Sequence, residues 1–164
     1  MLPTHDRKVL VTNTTPLIAL SAALGSLDIL QWLYARVVVP FEVAQEVKAG
    51  GRSSLGVDVF NSADCLDVQT QAVQMSALLK NSLDVGEASV IQTALDLSIP
   101  LVCIDEEVGR RMARLSGLTL TGTLGVLIKA KDLGFPVDMP RAIANMRQHG
   151  IWLSQPLITL ALSH

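Results

Sequence analysis

The stretch KVLVTNTTPLIAL, residues 8–20, indicates the fold of this chain. It begins with a short apolar run, Val9–Thr12, that stops abruptly at polar residues, and an apolar helical run follows at once. A short apolar run bounded by a polar turn is typical of a buried strand in a parallel sheet. We expect Thr15 to be the N-cap and Pro16 the first helical residue, where the missing N–H has no cost. Asn13 is therefore predicted at the carboxyl end of a central strand, where open α/β sheets bind ligands.

The remainder of the chain repeats this alternation of strand and helix. Strands are predicted at 36–39, 65–68, 101–104 and 118–120, and helices at 27–34, 41–48, 71–81, 84–98, 106–116, 124–133, 140–149 and 157–162. Residues 51–64 are mostly small or polar, which predicts a mobile loop. Strands that alternate with helices form parallel βαβ units, so the predicted fold is a three-layer α/β/α sandwich with a mainly parallel central sheet.

Length and composition limit the class of protein. The chain of 164 residues is predicted to be one domain, residues 1–164, with an aliphatic core, because 49% of its residues are apolar and 4% are aromatic. No run approaches the ~18 apolar residues that a membrane span needs, and residues 1–8 contain no apolar signal-peptide core. The two cysteines, Cys65 and Cys103, lack zinc-like spacing, so we expect a reduced, cytoplasmic location.

Charge is distributed unevenly along the sequence. Up to Glu107 the chain has 13 acidic and 6 basic residues, whereas the rest has 2 acidic and 7 basic residues. An acidic first part and a basic last third would suit a metal site beside a surface that binds a polyanion. Two ordinary solvated faces would give the same counts, and the counts alone favour this simpler interpretation.

Polar side chains at strand ends could share one cleft with carboxylates from two helices. Asn13, Asp105 and the turn 121–123 follow predicted strands, while Glu46 and Glu87 lie on predicted helices. Mg²⁺ and Mn²⁺ are hard cations that prefer carboxylate oxygens and water. Two such ions about 4 Å apart can activate a water and stabilise the leaving oxygen of a phosphodiester.

Each candidate also has a purely structural explanation. Asp84 and Glu87 form D-x-x-E at a helix start, which is a capping box. Glu46 could belong to a solvated helix face, and Asp105 could cap the helix that it precedes. The same applies to the remaining polar and basic candidates, which suit helix capping (Thr121, Thr123) or a solvated helix face (Arg110, Arg111, Arg114).

Five motifs occur in the order found in one family: NTTPLIAL, VPFEVAQEV, DVGEASVI, CIDEEVGRRMA and TGTLGVLIKAKDLG. Together they resemble a PIN domain, and more narrowly the small prokaryotic PIN-like proteins of unknown function that are related to VapC toxins. The resemblance extends from about Val9 to Gly150. It implies a parallel sheet flanked by helices, an acidic cluster that binds Mg²⁺ or Mn²⁺, and ribonuclease activity. It also implies an antitoxin partner and a homodimer.

Matched position by position, the resemblance places the family's acidic sites at Asn13, Glu46, Glu87 and Asp105, with Glu106 as a further metal ligand. Its small hydroxyl position is Thr121 or Thr123, in a supporting role. Asn13 departs from the family pattern, which has Asp there. An amide oxygen can bind Mg²⁺ but carries no charge and cannot act as a base.

The sequence therefore predicts a divalent-metal-dependent endoribonuclease, the toxin of a toxin–antitoxin pair, with Asn13, Glu46, Glu87 and Asp105 as catalytic residues. Arg110 and Arg111 are predicted to contact the RNA backbone. The alternative is a weakly active or inactive PIN-like module that binds RNA or a protein, because Asn13 replaces the first acidic ligand. A nucleotide-binding α/β protein is disfavoured, because neither G-x-G-x-x-G nor G-x-x-x-x-G-K-[ST] occurs. We also expect a homodimer, formed through the helices after Gly25 and the apolar segment 157–162, and no membrane association.

Overall fold

A computed structural model describes residues 6–50 and 54–164 of the chain. The described part contains a five-stranded parallel sheet in the order β3-β2-β1-β4-β5. Its strands are β1 (Val9–Thr12), β2 (Arg36–Val39), β3 (Leu66–Val68), β4 (Leu101–Cys103) and β5 (Thr119–Thr121). The predicted strands are confirmed, and the polar residues that follow them meet at one edge, because Thr12 pairs with Cys103 and Cys103 pairs with Thr121.

Helices flank the sheet, as predicted for an α/β/α sandwich. The first five in chain order are α1 (Thr14–Leu24), α2 (Asp28–Leu33), α3 (Phe41–Ala49), α4 (Ser54–Ser62) and α5 (Ala77–Ser82). The next five are α6 (Val85–Asp96), α7 (Glu107–Leu115), α8 (Thr123–Asp132), α9 (Met139–Gln148) and α10 (Gln155–Leu162). No helix in the described part of the chain is long and apolar enough to cross a bilayer.

The opening stretch forms the centre of the molecule. Leu10 and Val11 of β1 are fully buried, and α1 follows directly after Asn13, which is the N-cap. The prediction that Thr15 is the N-cap is therefore wrong, because the helix starts at Thr14. Pro16 is tolerated as the third helical residue, since the first four N–H groups of a helix have no intrahelical partner.

Two of the predicted segments differ from the structure. The loop prediction for 51–64 is wrong over Ser54–Ser62, where α4 packs against α1 and buries Phe60 in the core; residues 51–53 lie outside the described part. The helix predicted at 71–81 is confined to Ala77–Ser82. Before this helix, Glu42 Oε1 accepts a hydrogen bond from the Val73 N–H at 2.7 Å. A side chain therefore satisfies a backbone N–H that would donate to a backbone carbonyl in a helix.

Candidate active site

The carboxyl ends of β1 and β4 bring Asn13 and Glu106 together. The backbone N–H of Asn13 donates to Cys103 O at 3.0 Å, which holds the two strand ends side by side. Asn13 Nδ2 donates to Glu106 Oε2 at 3.4 Å, and Thr15 Oγ1 donates to Glu106 Oε1 at 2.5 Å. Asn13 and Thr15, at the start of α1, therefore fix the position of the Glu106 carboxylate at the start of α7.

This contact leaves the amide oxygen of Asn13 without a hydrogen bond. The side chain is almost completely buried, and Asn13 Oδ1 has no partner among the described residues. A buried acceptor without a partner is costly, and in a native site it indicates a ligand or water that is bound there. A Cβ at Gly86 of α6 would lie 3.2 Å from Oδ1, so this oxygen faces α6.

Glycine at position 86 allows the carboxylates of α3 and α6 to approach Asn13. A Cβ at Gly86 would lie 2.5 Å from Glu46 Oε2, 3.2 Å from Asn13 Oδ1 and 3.5 Å from Asp84 Oδ1. Three oxygens from three elements therefore surround one backbone position. Any larger residue at position 86 would displace the Glu46 carboxylate, because the Cβ contact of 2.5 Å is too short.

Glu87 reaches the same region from the first turn of α6. Its backbone N–H donates to Asp84 Oδ1 at 2.8 Å, so the capping interaction predicted for Asp84 is present. The Glu87 side chain extends to α7, where a Cβ at Gly109 would lie 2.9 Å from Glu87 Oε1. Asp84 thus both caps α6 and adds a carboxylate to the site, a second role that the sequence interpretation missed.

The electrostatics of these groups reflect burial and mutual repulsion. Burial, together with the charges of Asp84, Glu106 and Glu46, raises the pKa of Glu87 to about 7, and a hydrogen bond to the Asp84 backbone opposes the shift. Burial also raises the pKa of Glu46, the Thr14 side chain opposes this shift, and Asp84 and Glu106 add to it. We call Asn13, Glu46, Asp84, Glu87 and Glu106 the acidic cluster.

Asp105 is placed differently from its neighbour Glu106. Its Oδ1 accepts from the Thr123 N–H at 2.8 Å, and its Oδ2 accepts from Thr123 Oγ1 at 2.6 Å. Burial raises the pKa of Asp105, while these bonds and the Arg110 charge lower it. Asp105 therefore caps α8, rather than α7 as the structural alternative from sequence suggested, and both of its oxygens already have donors.

Arg110 and Thr123 lie beside Asp105 rather than in the acidic cluster. One terminal nitrogen of Arg110 donates to Ile104 O at 2.7 Å and to Thr121 O at 3.2 Å, which ties the end of β4 to β5. Arg111 is exposed on α7. Thr121 Oγ1 donates weakly to Gly122 O at 3.5 Å, and Thr123 is the Asp105 partner described above.

The acidic cluster fits a divalent cation by the chemistry of its donors. All are hard oxygens, and one of them is an unsatisfied buried amide oxygen. Among the described residues, no basic side chain forms an ion pair with Glu46 or Glu87. In residues 6–50 and 54–164 no three Asp, Glu, His or Cys side chains already converge on one point. A cation would therefore have to draw the carboxylates inward.

Comparison with known families agrees with this architecture. A family model described as a PIN domain (DUF3368) matches residues 9–164. The chain belongs to the PIN-domain family. Its fold is accordingly of the nuclease type, and PIN domains generally use divalent metals. No curated protein and no solved structure gives a significant match to the chain.

Two kinds of residue escaped the sequence interpretation. Asp84 was interpreted only as a cap, because D-x-x-E explains it without a cleft. Gly86 and Gly109 were not singled out, although glycine is a poor helix former and lies inside α6 and α7. A glycine within a helix indicates that a neighbouring group approaches closely, and here that group is a site carboxylate.

Proposed function

We propose that this PIN domain is a divalent-metal-dependent endoribonuclease whose centre is the acidic cluster rather than Asp105. The observation that carries the proposal is the unpartnered, buried Oδ1 of Asn13, which lies beside Glu46 and Asp84 against Gly86. A cation would both satisfy this buried acceptor and offset the repulsion among the carboxylates around it.

The residues have separate roles in this proposal. Glu46 and Glu87 would hold the cation with Asn13 Oδ1 as a neutral ligand, and Glu106 is oriented by Asn13 Nδ2 and Thr15 Oγ1. When bound, Mg²⁺ or Mn²⁺ would activate a water and stabilise the leaving oxygen of the phosphodiester. Asp105, bonded to Thr123, would hold the α8 start and the strand end in place and support the position of Glu106.

Cleavage of RNA tests the proposal. Purified protein is incubated with a single-stranded oligoribonucleotide and Mn²⁺, with EDTA as the metal-free control. We expect cleavage that stops in EDTA and that falls about 100-fold or more in Glu87→Gln. Asp58→Asn removes an exposed carboxylate on α4 and is the matched control, with activity like that of the wild type. Cleavage that persists in EDTA or in Glu87→Gln would refute the mechanism.

A second candidate function is a non-catalytic module that binds RNA or a protein. Asn13 favours it, because the residue brings no charge and its amide is already bonded to Glu106. Under this alternative the protein would cleave no RNA with Mn²⁺ and would show no Mn²⁺ binding that depends on Glu87. It would nevertheless bind RNA in EDTA or form a stable protein complex.

The toxin role is a further part of the proposal. It is supported by the resemblance of the five motifs to proteins related to VapC toxins, which also implies an antitoxin and a homodimer. Induced expression in a bacterial host should arrest growth with the wild-type chain and not with Glu87→Gln. A small reading frame just upstream, whose co-expression restores growth, would identify the antitoxin. Sedimentation at micromolar concentration would distinguish a dimer from a monomer.

A further inference from the structure

A groove of about 560 Å³ lies next to the acidic cluster. Its lining includes Arg110 and Arg114 of α7, and Trp152, Leu157 and Leu160 of the C-terminal segment. We call it the C-terminal groove. The α7 residues contribute two guanidinium groups and the Glu107 carboxylate, whereas the C-terminal segment contributes mainly apolar side chains.

The groove begins where the acidic cluster ends. Thr15 and Asp105 are also among its lining residues, and Thr15 Oγ1 is bonded to the Glu106 carboxylate. A chain that leaves the acidic cluster along this side therefore enters the groove directly. Continuity with the candidate active site favours an occupant that is part of the substrate.

Trp152 gives the groove an accessible aromatic surface. The Trp152 side chain is 83% exposed, more than any other large apolar side chain in the described part of the chain. Leu157 and Leu160 of α10 are about half exposed beside it. An exposed indole next to a groove is a suitable platform for a flat π system.

Arg114 gives the groove a guanidinium group that forms no contact needed for the fold. Arg114 is exposed, and its guanidinium group makes no hydrogen bond or ion pair with the described residues. Arg110 is anchored by one nitrogen to two backbone carbonyls, which fixes the position of its guanidinium group. Guanidinium groups at fixed positions suit phosphate oxygens.

We propose that the C-terminal groove is a base-stacking subsite for single-stranded RNA, with a base on Trp152 and the backbone phosphates along Arg114. This inference rests on the proposed ribonuclease function, because it assigns the occupant as the strand that leaves the acidic cluster. Single-stranded RNA has both an anionic backbone and flat apolar faces, which match the guanidinium groups and the apolar side chains that line the groove. An apolar helix of a partner would match only one of them.

Binding is measured without catalysis. Fluorescein-labelled octa-adenylate is titrated in EDTA, and anisotropy gives the Kd. We expect the Kd to rise about tenfold in Trp152→Ala and to be restored in Trp152→Tyr, since stacking on an aromatic ring is tolerant of the ring type. Arg114→Gln should weaken binding and reduce its salt dependence. The matched controls, Leu115→Ala and Arg147→Gln, change exposed residues outside the groove and should bind like the wild type.

Trp152 itself reports on stacking. In a Trp32→Phe background it is the remaining indole, and octa-adenylate should quench its fluorescence, whereas an abasic oligonucleotide of the same length should not. Equal quenching by the abasic strand would overturn the stacking assignment. No quenching, together with concentration-dependent self-association that Trp152→Ala abolishes, would overturn it in favour of a second copy of the chain.

These outcomes are separable from those of the proposed function. Quenching without Mn²⁺-dependent cleavage would leave the subsite and remove the nuclease assignment. Cleavage with no change in affinity in Trp152→Ala and Arg114→Gln would leave the nuclease and remove the subsite.

Discussion

The two sides of the candidate active site contain carboxylates of the same kind in opposite circumstances. Both oxygens of Asp105 accept hydrogen bonds from Thr123, and Arg110 lies beside it. Glu46 and Glu87 instead lie among other carboxylates whose charges raise their pKa, and Glu46 lies beside the unpartnered Oδ1 of Asn13. Hydrogen bonds and a neighbouring guanidinium group already offset the charge of Asp105, whereas the mutual repulsion of the crowded carboxylates favours a cation between them.

Glu87→Gln should have the largest effect on cation binding. It removes the charge that lies between α6 and α7, so we expect Mn²⁺ affinity to fall about 100-fold, which corresponds to about 2.7 kcal/mol. The measurement is the increase in Tm caused by millimolar Mn²⁺. The wild type should gain several degrees and the variant almost none. An unchanged gain in the variant would show that the cation binds elsewhere.

Asp105→Asn should act on the other side of the site. The substitution weakens the two hydrogen bonds to Thr123, and we expect it to lower the free energy of unfolding by about 2 kcal/mol. The increase in Tm with Mn²⁺ should be retained. Urea denaturation in EDTA measures the stability loss. If the variant keeps full stability but its Tm no longer rises with Mn²⁺, Asp105 is a direct metal ligand. That result would contradict the assignment of cation binding to the acidic cluster alone.

Asn13→Asp should lower the stability of the metal-free protein and raise its affinity for Mn²⁺. It adds a charge beside Glu46 and removes the Nδ2 donor from Glu106, so the metal-free protein should lose about 1 kcal/mol of stability. Mn²⁺ affinity should rise about tenfold, and nuclease activity should rise with it. Calorimetric titration of the variant measures the affinity. If neither affinity nor activity increases, Asn13 does not face the cation.

The smallest expected effect is on the pH dependence of the metal-free protein. The folded state holds the Glu87 proton more tightly than the unfolded state, since burial and its neighbours raise its pKa from 4.5 to about 7. Stability should therefore be full below about pH 4.5 and fall as pH rises towards 7, by about 1 kcal/mol after solvent screening is allowed for.

Urea denaturation in EDTA at pH 5 and pH 8 measures this change. Glu87→Gln should show a smaller decrease than the wild type, and Mn²⁺ at pH 8 should reverse the decrease. Greater stability of the wild type at pH 8 in EDTA would contradict the proposed repulsion within the acidic cluster.

Most of the fold could be predicted from the sequence because the signals that specify strands and helices are local. The apolar run before Asn13 and the Gly-terminated α1 specify a buried strand and a helix; Gly25, with φ 74°, ends α1 in the left-handed region. The exception at 51–64 arose because small residues outweighed the apolar spacing that places Phe60 in the core. Composition describes a segment on average, whereas one buried aromatic residue can decide its packing.

The candidate site was less accessible to sequence reasoning because it depends on side-chain direction. Asp105 and Glu106 are adjacent, and no local pattern shows which of them turns towards Asn13. That choice depends on Thr123, which attracts Asp105 to the start of α8, and on Thr15, which binds Glu106. Both partners are distant in sequence, so the assignment needs the fold.

Calorimetric titration of the metal-free protein with Mn²⁺ at pH 7.5 tests the central claim most directly. The account predicts saturable binding to the wild type, about 100-fold weaker binding to Glu87→Gln, and nearly unchanged affinity in Asp105→Asn. No binding to the wild type, or the same affinity in Glu87→Gln as in the wild type, would contradict a cation site at the acidic cluster.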